Sequence, residues 1–270
     1  MSTLELLRSR GKQIIFVTNN STKSRADYRA KLTSMGIPAA LEEVFSSSYS
    51  SAVYISLILQ PRPPKNKVFI IGEAGIETEL TAAGIPHCGG TDPALRRDMT
   101  PQDYKDMARG TGTGTAPLLD PAVGIVLCGL DFHLNYLKLA LAFHYIRDHG
   151  AAFLQTNGDT TLPSSESLFP GAGACVAPLV AMLGRPPTAS LGKPDQAMMD
   201  AVEGKFQFDR KRTCMVGDRL DTDIAFGIKG GLGGTLCVLT GVTRAKEDWE
   251  GGETKPSFWV DRLGDLSAGA

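Results

Sequence analysis

Three aspartates crowd the run Thr213-Cys214-Met215-Val216-Gly217-Asp218-Arg219-Leu220-Asp221-Thr222-Asp223-Ile224, where a short apolar stretch gives way abruptly to carboxylates. Carboxylates at the end of a strand in an open α/β sheet can hold a hard cation such as Mg²⁺ together with a bound phosphate. The same residues can also do no more than shape a turn, with Asp218 and Asp221 capping a helix that opens near Thr222. A second polar group, Thr18-Asn19-Asn20-Ser21, closes another apolar run. One hydroxyl and two amides in a row make a phosphate cradle, or simply the cap of the next helix. The third group is Lys193, in Leu191-Gly192-Lys193-Pro194-Asp195 ahead of a helical stretch over residues 196–202, with Pro194 suited to the first helical position. A cation facing the positive end of a helix dipole is unfavourable unless an anion is bound beside it, although a solvated lysine needs no role. Taken together, the three groups supply hydrogen-bond donors, a fixed cation and a metal ligand for a phosphoryl group.

The elements that must position them alternate between helix and strand. Leu4, Leu6 and Leu7 mark a helical fragment that stops at Gly11, and residues 13–17 read as a buried strand delivering Thr18. Tyr28, Leu32 and Met35 form one stripe of a helix closed by Gly36, and another helix covers residues 49–59. Pro61-Arg62-Pro63-Pro64 has the texture of a linker, after which strands are expected at 67–71, 124–128 and 151–155, with helices at 73–83 and 134–147. Residues 96–121 are polar and contain Gly110-Thr111-Gly112-Thr113-Gly114-Thr115. They are expected to form a mobile surface loop, since a glycine-rich phosphate loop joins a strand to a helix and this run does neither. Gly231-Leu232-Gly233-Gly234 serves as turn glycines before a strand at 235–239. The first texture returns only after Pro186-Pro187. Residues 1–60 and 188–270 are therefore expected to form a core, with 61–187 inserted as a second α/β layer.

Composition limits the partners. The chain has 270 residues, with 28 Lys+Arg against 29 Asp+Glu. That balance argues against nucleic acid or an acidic membrane surface as a partner. The odd number of cysteines (Cys88, Cys128, Cys175, Cys214, Cys237), widely spaced and mostly in apolar runs, points to reduced core residues and a cytoplasmic setting. No apolar run approaches the ~20 residues of a membrane span, and the amino terminus carries no signal-peptide core.

The runs Phe16-Val-Thr-Asn-Asn-Ser-Thr-Lys-Ser-Arg25, Gly192-Lys193-Pro194, Met215 through Ile224 and Gly230-Gly-Leu-Gly-Gly-Thr235 occur in order. With them the chain resembles the haloacid-dehalogenase (HAD) superfamily, and more closely its 4-nitrophenylphosphatase/phosphoglycolate phosphatase branch, particularly the fungal members. The likeness extends through Tyr49-Ser-Ser-Ala-Val-Tyr54, Phe169-Pro-Gly-Ala-Gly173 and Phe258-Trp-Val-Asp261. It implies an α/β fold, a Rossmann-like HAD core with a parallel sheet and an inserted αβ cap of the C2 type, working as a Mg²⁺-dependent phosphomonoesterase on small phosphorylated metabolites. By that resemblance Thr18, Asn19 and Asn20 hold the phosphate, and Lys193 neutralises phosphate and nucleophile. Asp218 ligates Mg²⁺ and Asp223 supports the metal site from behind. The loop at 157–163, with Asn157, Asp159 and Leu162, touches the substrate. A homodimer through the cap is a further expectation.

The family opens on a strand ending in Asp-x-Asp-Gly, whose first carboxylate attacks phosphorus and whose second is general acid/base. In these 270 residues Asp-x-Asp occurs only as Asp221-Thr222-Asp223, already assigned to the acidic turn. The first strand and its loop are thus expected to be missing. That leaves two readings: a phosphatase whose nucleophile lies outside this chain, or a non-catalytic remnant that binds phosphate or a partner.

Overall fold

In the computed structural model, which describes residues 2–109, 118–164 and 167–268, the densest aliphatic runs become the central strands of a parallel sheet. Its five strands lie in the order His87–Gly89, Lys67–Ile71, Val123–Cys128, Ala152–Gln155, Ala189–Ser190. Val68, Ile70, Ile125, Val126 and Leu127 are buried whichever face they point to. A parallel sheet covered on both faces demands such continuous apolar runs. The helices Tyr136–Arg147 and Ala172–Leu183 pack on this sheet and on each other, placing Leu137, Leu141, Tyr145, Val176 and Leu179 in its core.

Contacts divide the chain into two compact units, Val17–Gly192 and Met1–Phe16 with Lys193–Ala270. The first unit contains the five-stranded sheet, and residues 17–60 pack within it. Helix Ser47–Val53 lies on helix Ala74–Ala82, and the Arg25 guanidinium stacks over Tyr49 while pairing with the buried Glu79 at 2.9 Å. Phe16–Thr18 pairs with Val44–Ser46 in a separate two-stranded sheet, not with Lys67–Ile71. The other unit holds a three-stranded parallel sheet in the order Cys214–Gly217, Gly234–Val238, Phe258–Val260, with helices Gln196–Phe206 and Ala225–Lys229. Cys214–Gly217 is an edge of that sheet, and its Val216 is 39% exposed. Among the described residues no helix is long and apolar enough to cross a membrane.

Several expectations need correcting. The strand before Thr18 covers only Phe16–Thr18 and is half-buried, not the buried run 13–17. The polar segment 96–121 is not simply a loop: Pro101–Arg109 is helical, with Met107 and, further on, Leu119 buried in the core. Asp103 organises its start, accepting bonds from the Thr100 backbone and hydroxyl, while the Arg97 guanidinium holds its carboxyl well below the usual carboxylate range. With Met107 as its buried apolar side chain and Tyr104 exposed, the described part of the helix carries no apolar period to read. The Gly-Thr repeat lies outside the described residues. Past Val53 the second helix widens into a π-helical turn, Tyr54–Leu59, which ends at a left-handed Gln60. Pro194 precedes the Asp195 N-cap of helix Gln196–Phe206 and does not occupy the first helical position, so the helix-dipole argument for Lys193 does not hold in that form.

Lys138 and Asp131 are both buried and meet at 2.6 Å, and the ammonium also donates to the Gly90 carbonyl at 2.9 Å. Removing one partner of such a pair strands a charge in a low dielectric. Lys138→Met is therefore expected to destabilise the protein by about 3 to 5 kcal/mol. Denaturant unfolding checks this, and a loss below about 1 kcal/mol would contradict it.

Candidate phosphate and cation site

In the acidic turn the organising group is Asp223, which is buried. Its Oδ2 accepts the backbone N–H groups of Asp218 at 3.2 Å and Arg219 at 3.1 Å, closing the chain back on itself, while its Oδ1 meets Lys193 Nζ at 2.6 Å. A carboxylate accepting two backbone donors and an ammonium is a charge-assisted anchor, and it brings together residues that the sequence keeps far apart. Gly217 is required here, because a Cβ on it would lie 2.3 Å from the Asp223 Cβ. The compensating anion of Lys193 is thus Asp223, and the ammonium side chain is only 11% exposed.

Asp218 is half-buried at the carboxyl end of strand Cys214–Gly217. The loop after strand Gly234–Val238 wraps it: Val242 N–H donates to its Oδ2 at 2.8 Å and Thr243 N–H to its carbonyl at 2.9 Å. Asp218 and Asp221 do not cap the helix that follows. Among the described residues no side-chain cap bond is made there, and Asp221 instead pairs with Arg219 at 2.7 Å on the surface. Gly241, Val242 and Thr243 are the site residues that the sequence reading missed. Their signal was a second polar, glycine-bearing stretch following a strand, the same texture that flagged Thr18 and Asp218.

Among the described residues no group of three or more Asp, Glu, His or Cys side chains could by itself hold a metal ion. The acidic turn offers the carboxylates of Asp218 and Asp223, and a Mg²⁺ ion takes one or two carboxylates plus a substrate phosphate while keeping several waters. Asp218, with one oxygen on the Val242 N–H, fits as such a ligand. Asp223, with both oxygens engaged, fits as the group that fixes the turn carrying it.

The Thr-Asn-Asn turn belongs to the other unit. Thr18 Oγ1 accepts the Asn20 N–H at 3.2 Å, so its own O–H remains a donor. Asn20 Oδ1 takes the Lys23 N–H at 3.0 Å and the Thr22 hydroxyl at 3.3 Å, folding the turn onto itself. The Asn19 carbonyl accepts from the buried Ser47 hydroxyl and from Asn157 Nδ2, both at 2.8 Å, and its side-chain Nδ2 donates to the Asp159 carboxylate at 3.1 and 3.2 Å. Helix Arg25–Ser34 is capped by Ser24 in a capping box with Asp27, so residues 18–21 are not its cap. Asn157 and Asp159 are thereby brought to the turn. Leu162 lies in strand Thr161–Ser164, paired antiparallel with Ser167–Pro170, and packs partly on the hydrophobic core. The expected loop at 157–163 therefore ends in a strand.

Residues 1–86 match the profile described as haloacid dehalogenase-like hydrolase, and residues 190–266 match a second, HAD-hydrolase-like profile. Over 266 residues the chain is 48% identical to the 4-nitrophenylphosphatase of Schizosaccharomyces pombe, covering 98% of this chain and 85% of that protein. It is 39% identical to the chloroplastic phosphoglycolate phosphatase 1A of Arabidopsis thaliana, over 98% of this chain and 70% of the relative. The solved structure of the p-nitrophenyl phosphatase from Archaeoglobus fulgidus superposes with a TM-score of 0.78 at 27% identity, covering 99% of this chain and 90% of that one.

A Cβ on Gly241 would come within 1.9 Å of Asp218 Oδ2, so Gly241→Ala must push that carboxylate aside. We expect a loss of about 1 to 3 kcal/mol in thermal unfolding, together with faster hydrogen exchange at the Val242 amide. Gly264→Ala is the control, because a methyl group there would meet no heavy atom within 4 Å. Unchanged Val242 protection in Gly241→Ala would show that the loop does not clamp Asp218.

Proposed function

This chain belongs to the haloacid dehalogenase-like hydrolases and is a phosphatase of that family, and from that premise we propose that its reaction is Mg²⁺-dependent hydrolysis of small phosphomonoesters. Metabolites resembling 2-phosphoglycolate, and 4-nitrophenyl phosphate as a generic substrate, are the substrate class. The observation that carries this reading is the Asp223 anchor, which joins a cation at Lys193 to the backbone of a turn carrying a carboxylate at Asp218.

In this reading Thr18 donates its hydroxyl to a phosphoryl oxygen while Asn19 and Asn20 hold the turn's shape. Lys193, beside Asp218 in its own unit, is proposed to offset negative charge on a phosphoryl group. Asp218 would hold Mg²⁺, with Asp223 fixing its turn. When bound, the cation neutralises charge on the phosphoryl oxygens and orients the ester. From the order of the motifs, residues 61–187 are proposed as the inserted cap and 1–60 with 188–270 as the core, while residues 17–60 and strand Ala189–Ser190 lie in one compact unit with the five-stranded sheet; residues near Asn157 and Asp159 border the substrate. Five free cysteines support a reducing, cytosolic setting.

The family's covalent step needs a carboxylate nucleophile, and Asp-x-Asp occurs here only at Asp221 and Asp223, which are engaged with Arg219 and Lys193. We infer that nucleophile and general acid/base are not among these residues, which would supply the phosphate contacts, the fixed cation and the metal ligand. The alternative is a non-catalytic phosphate-binding or partner-binding protein, against which stands the joint presence of Lys193, Asp218 and the whole Thr18-Asn19-Asn20 run.

The assay is release of 4-nitrophenol with and without Mg²⁺, run on the 270-residue chain and on a version preceded by a strand ending in Asp-x-Asp-Gly. Only the extended chain is expected to turn over, and Asp218→Asn within it should cost about a hundredfold or more. Full activity of the 270-residue chain would require a different nucleophile. If the extended chain stays inert although it folds, the binding-protein reading takes over.

The proposed homodimer through the cap draws support from strand Ser167–Pro170, on which Leu168 is 65% and Phe169 53% exposed. Exposed neighbouring apolar side chains on a short strand suit a self-complementary interface. Light scattering should give a dimer that Leu168→Asp with Phe169→Asp converts to a monomer; a wild-type monomer at tens of micromolar, roughly the range of a weak standard interface, would end the idea.

A further inference from the structure

Asn19, Asn157 and Asp159 close a ring of hydrogen bonds. The Asp159 backbone N–H donates to Asn157 Oδ1 at 3.1 Å, Asn157 Nδ2 donates to the Asn19 carbonyl at 2.8 Å, and Asn19 Nδ2 donates to the Asp159 carboxylate at 3.1 and 3.2 Å. The ring spans a sequence separation of 140 residues at the Asn19 to Asp159 link, so nothing local produces it. Asn157 is 3% exposed and also donates to the Thr156 hydroxyl, which fixes which way its amide faces. A carboxylate without its proton only accepts, so Asp159 likewise fixes the Asn19 amide with its nitrogen toward that carboxylate.

We propose that Asp159 and Asn157 are positioning residues: they set the backbone and amide of Asn19 so that the turn presents the Thr18 hydroxyl and its backbone to a phosphate. The proposal rests on the reading of Thr18-Asn19-Asn20 as a phosphate cradle and assigns a role within it. It gives Asp159 an indirect action on the ligand, through Asn19, in place of a contact of its own.

The charge of Asp159 makes the role testable by sign. A carboxylate beside an anion-binding turn repels the anion, so deleting one that merely happened to lie there would tighten phosphate binding. Deleting one that holds the turn in shape weakens binding despite the relief of repulsion. Asp159→Asn separates the two effects, because it keeps an acceptor for Asn19 Nδ2 and removes the charge.

The experiment is titration of the 270-residue chain with inorganic phosphate, followed by amide NMR shifts, alongside thermal melts. We expect Asp159→Ala to weaken binding by about tenfold, the loss of roughly one hydrogen bond's worth of positioning. Asp159→Asn should bind as tightly as the wild type or more so, and both variants should melt cooperatively. Thr18→Val tests the cradle itself and should abolish binding. If Thr18→Val abolishes binding but Asp159→Ala binds as well as or better than the wild type, the positioning role is overturned and the cradle stands. If Thr18→Val leaves phosphate affinity unchanged, or the wild-type chain binds no phosphate, the cradle falls and the positioning role with it. Should Asp159→Ala fail to fold, Asn157→Ser opens the same ring without touching the charge: weaker binding supports the proposal and unchanged binding refutes it.

Discussion

The carboxylate of Asp223 is the constraint on which the cation-bearing unit depends. It is buried, and a buried carboxylate is tolerated only when its charge and lone pairs are met. Here the Lys193 ammonium meets one oxygen and two consecutive backbone N–H groups meet the other. The arrangement has consequences in both directions. The lysine is held in one place with its desolvation offset, and the chain beyond Gly217 is bent so that Asp218 emerges at the strand end. Asp218 is then held from outside by the Gly241 to Thr243 loop, whose glycine leaves room for nothing but the carboxylate.

The other unit solves a similar problem with neutral groups. The Thr-Asn-Asn turn has no element of its own to hold it, since the helix after it is capped by Ser24. Its carbonyl and amide are tied to Ser47, Asn157 and Asp159, residues delivered by the start of a helix and by the end of strand Ala152–Gln155. Beneath it the rigid part is the parallel sheet, with the Asp131 to Lys138 pair setting the loop after strand Val123–Cys128. Polar geometry thus sits on a frame of buried aliphatic strands, the usual division between what positions and what binds.

The helix at Pro101–Arg109 illustrates why some elements escape a reading of periodicity. Its sequence is polar almost throughout, and what holds it is Met107 in the core and Asp103 at its start, paired with an arginine that precedes the helix. Neither signal repeats every 3.6 residues. The short strand Phe16–Thr18 errs the other way: its run of apolar residues looks buried, yet its neighbours cover it only halfway. Pattern reports how apolar a segment is, and coverage depends on what else arrives.

By itself the sequence determined the alternation of strands and helices, the long buried strands, the turn glycines at 231–234 and the four ordered motifs that identify the family, because each of these is written in contiguous residues. Lys193, Asp218, Asp223 and Thr18-Asn19-Asn20 were legible as candidates for the same reason: each stands at or near an element boundary with side chains that no core would choose. Only the tertiary structure decided what those side chains do. That Asp223 anchors Lys193, that Val242 holds Asp218, that Asn157 and Asp159 grip Asn19 while Leu162 turns to the core are all pairings between residues tens to more than a hundred positions apart. A hydrogen bond is fixed by donor and acceptor geometry within about 3 Å, and that geometry exists only once the chain has closed over those distances.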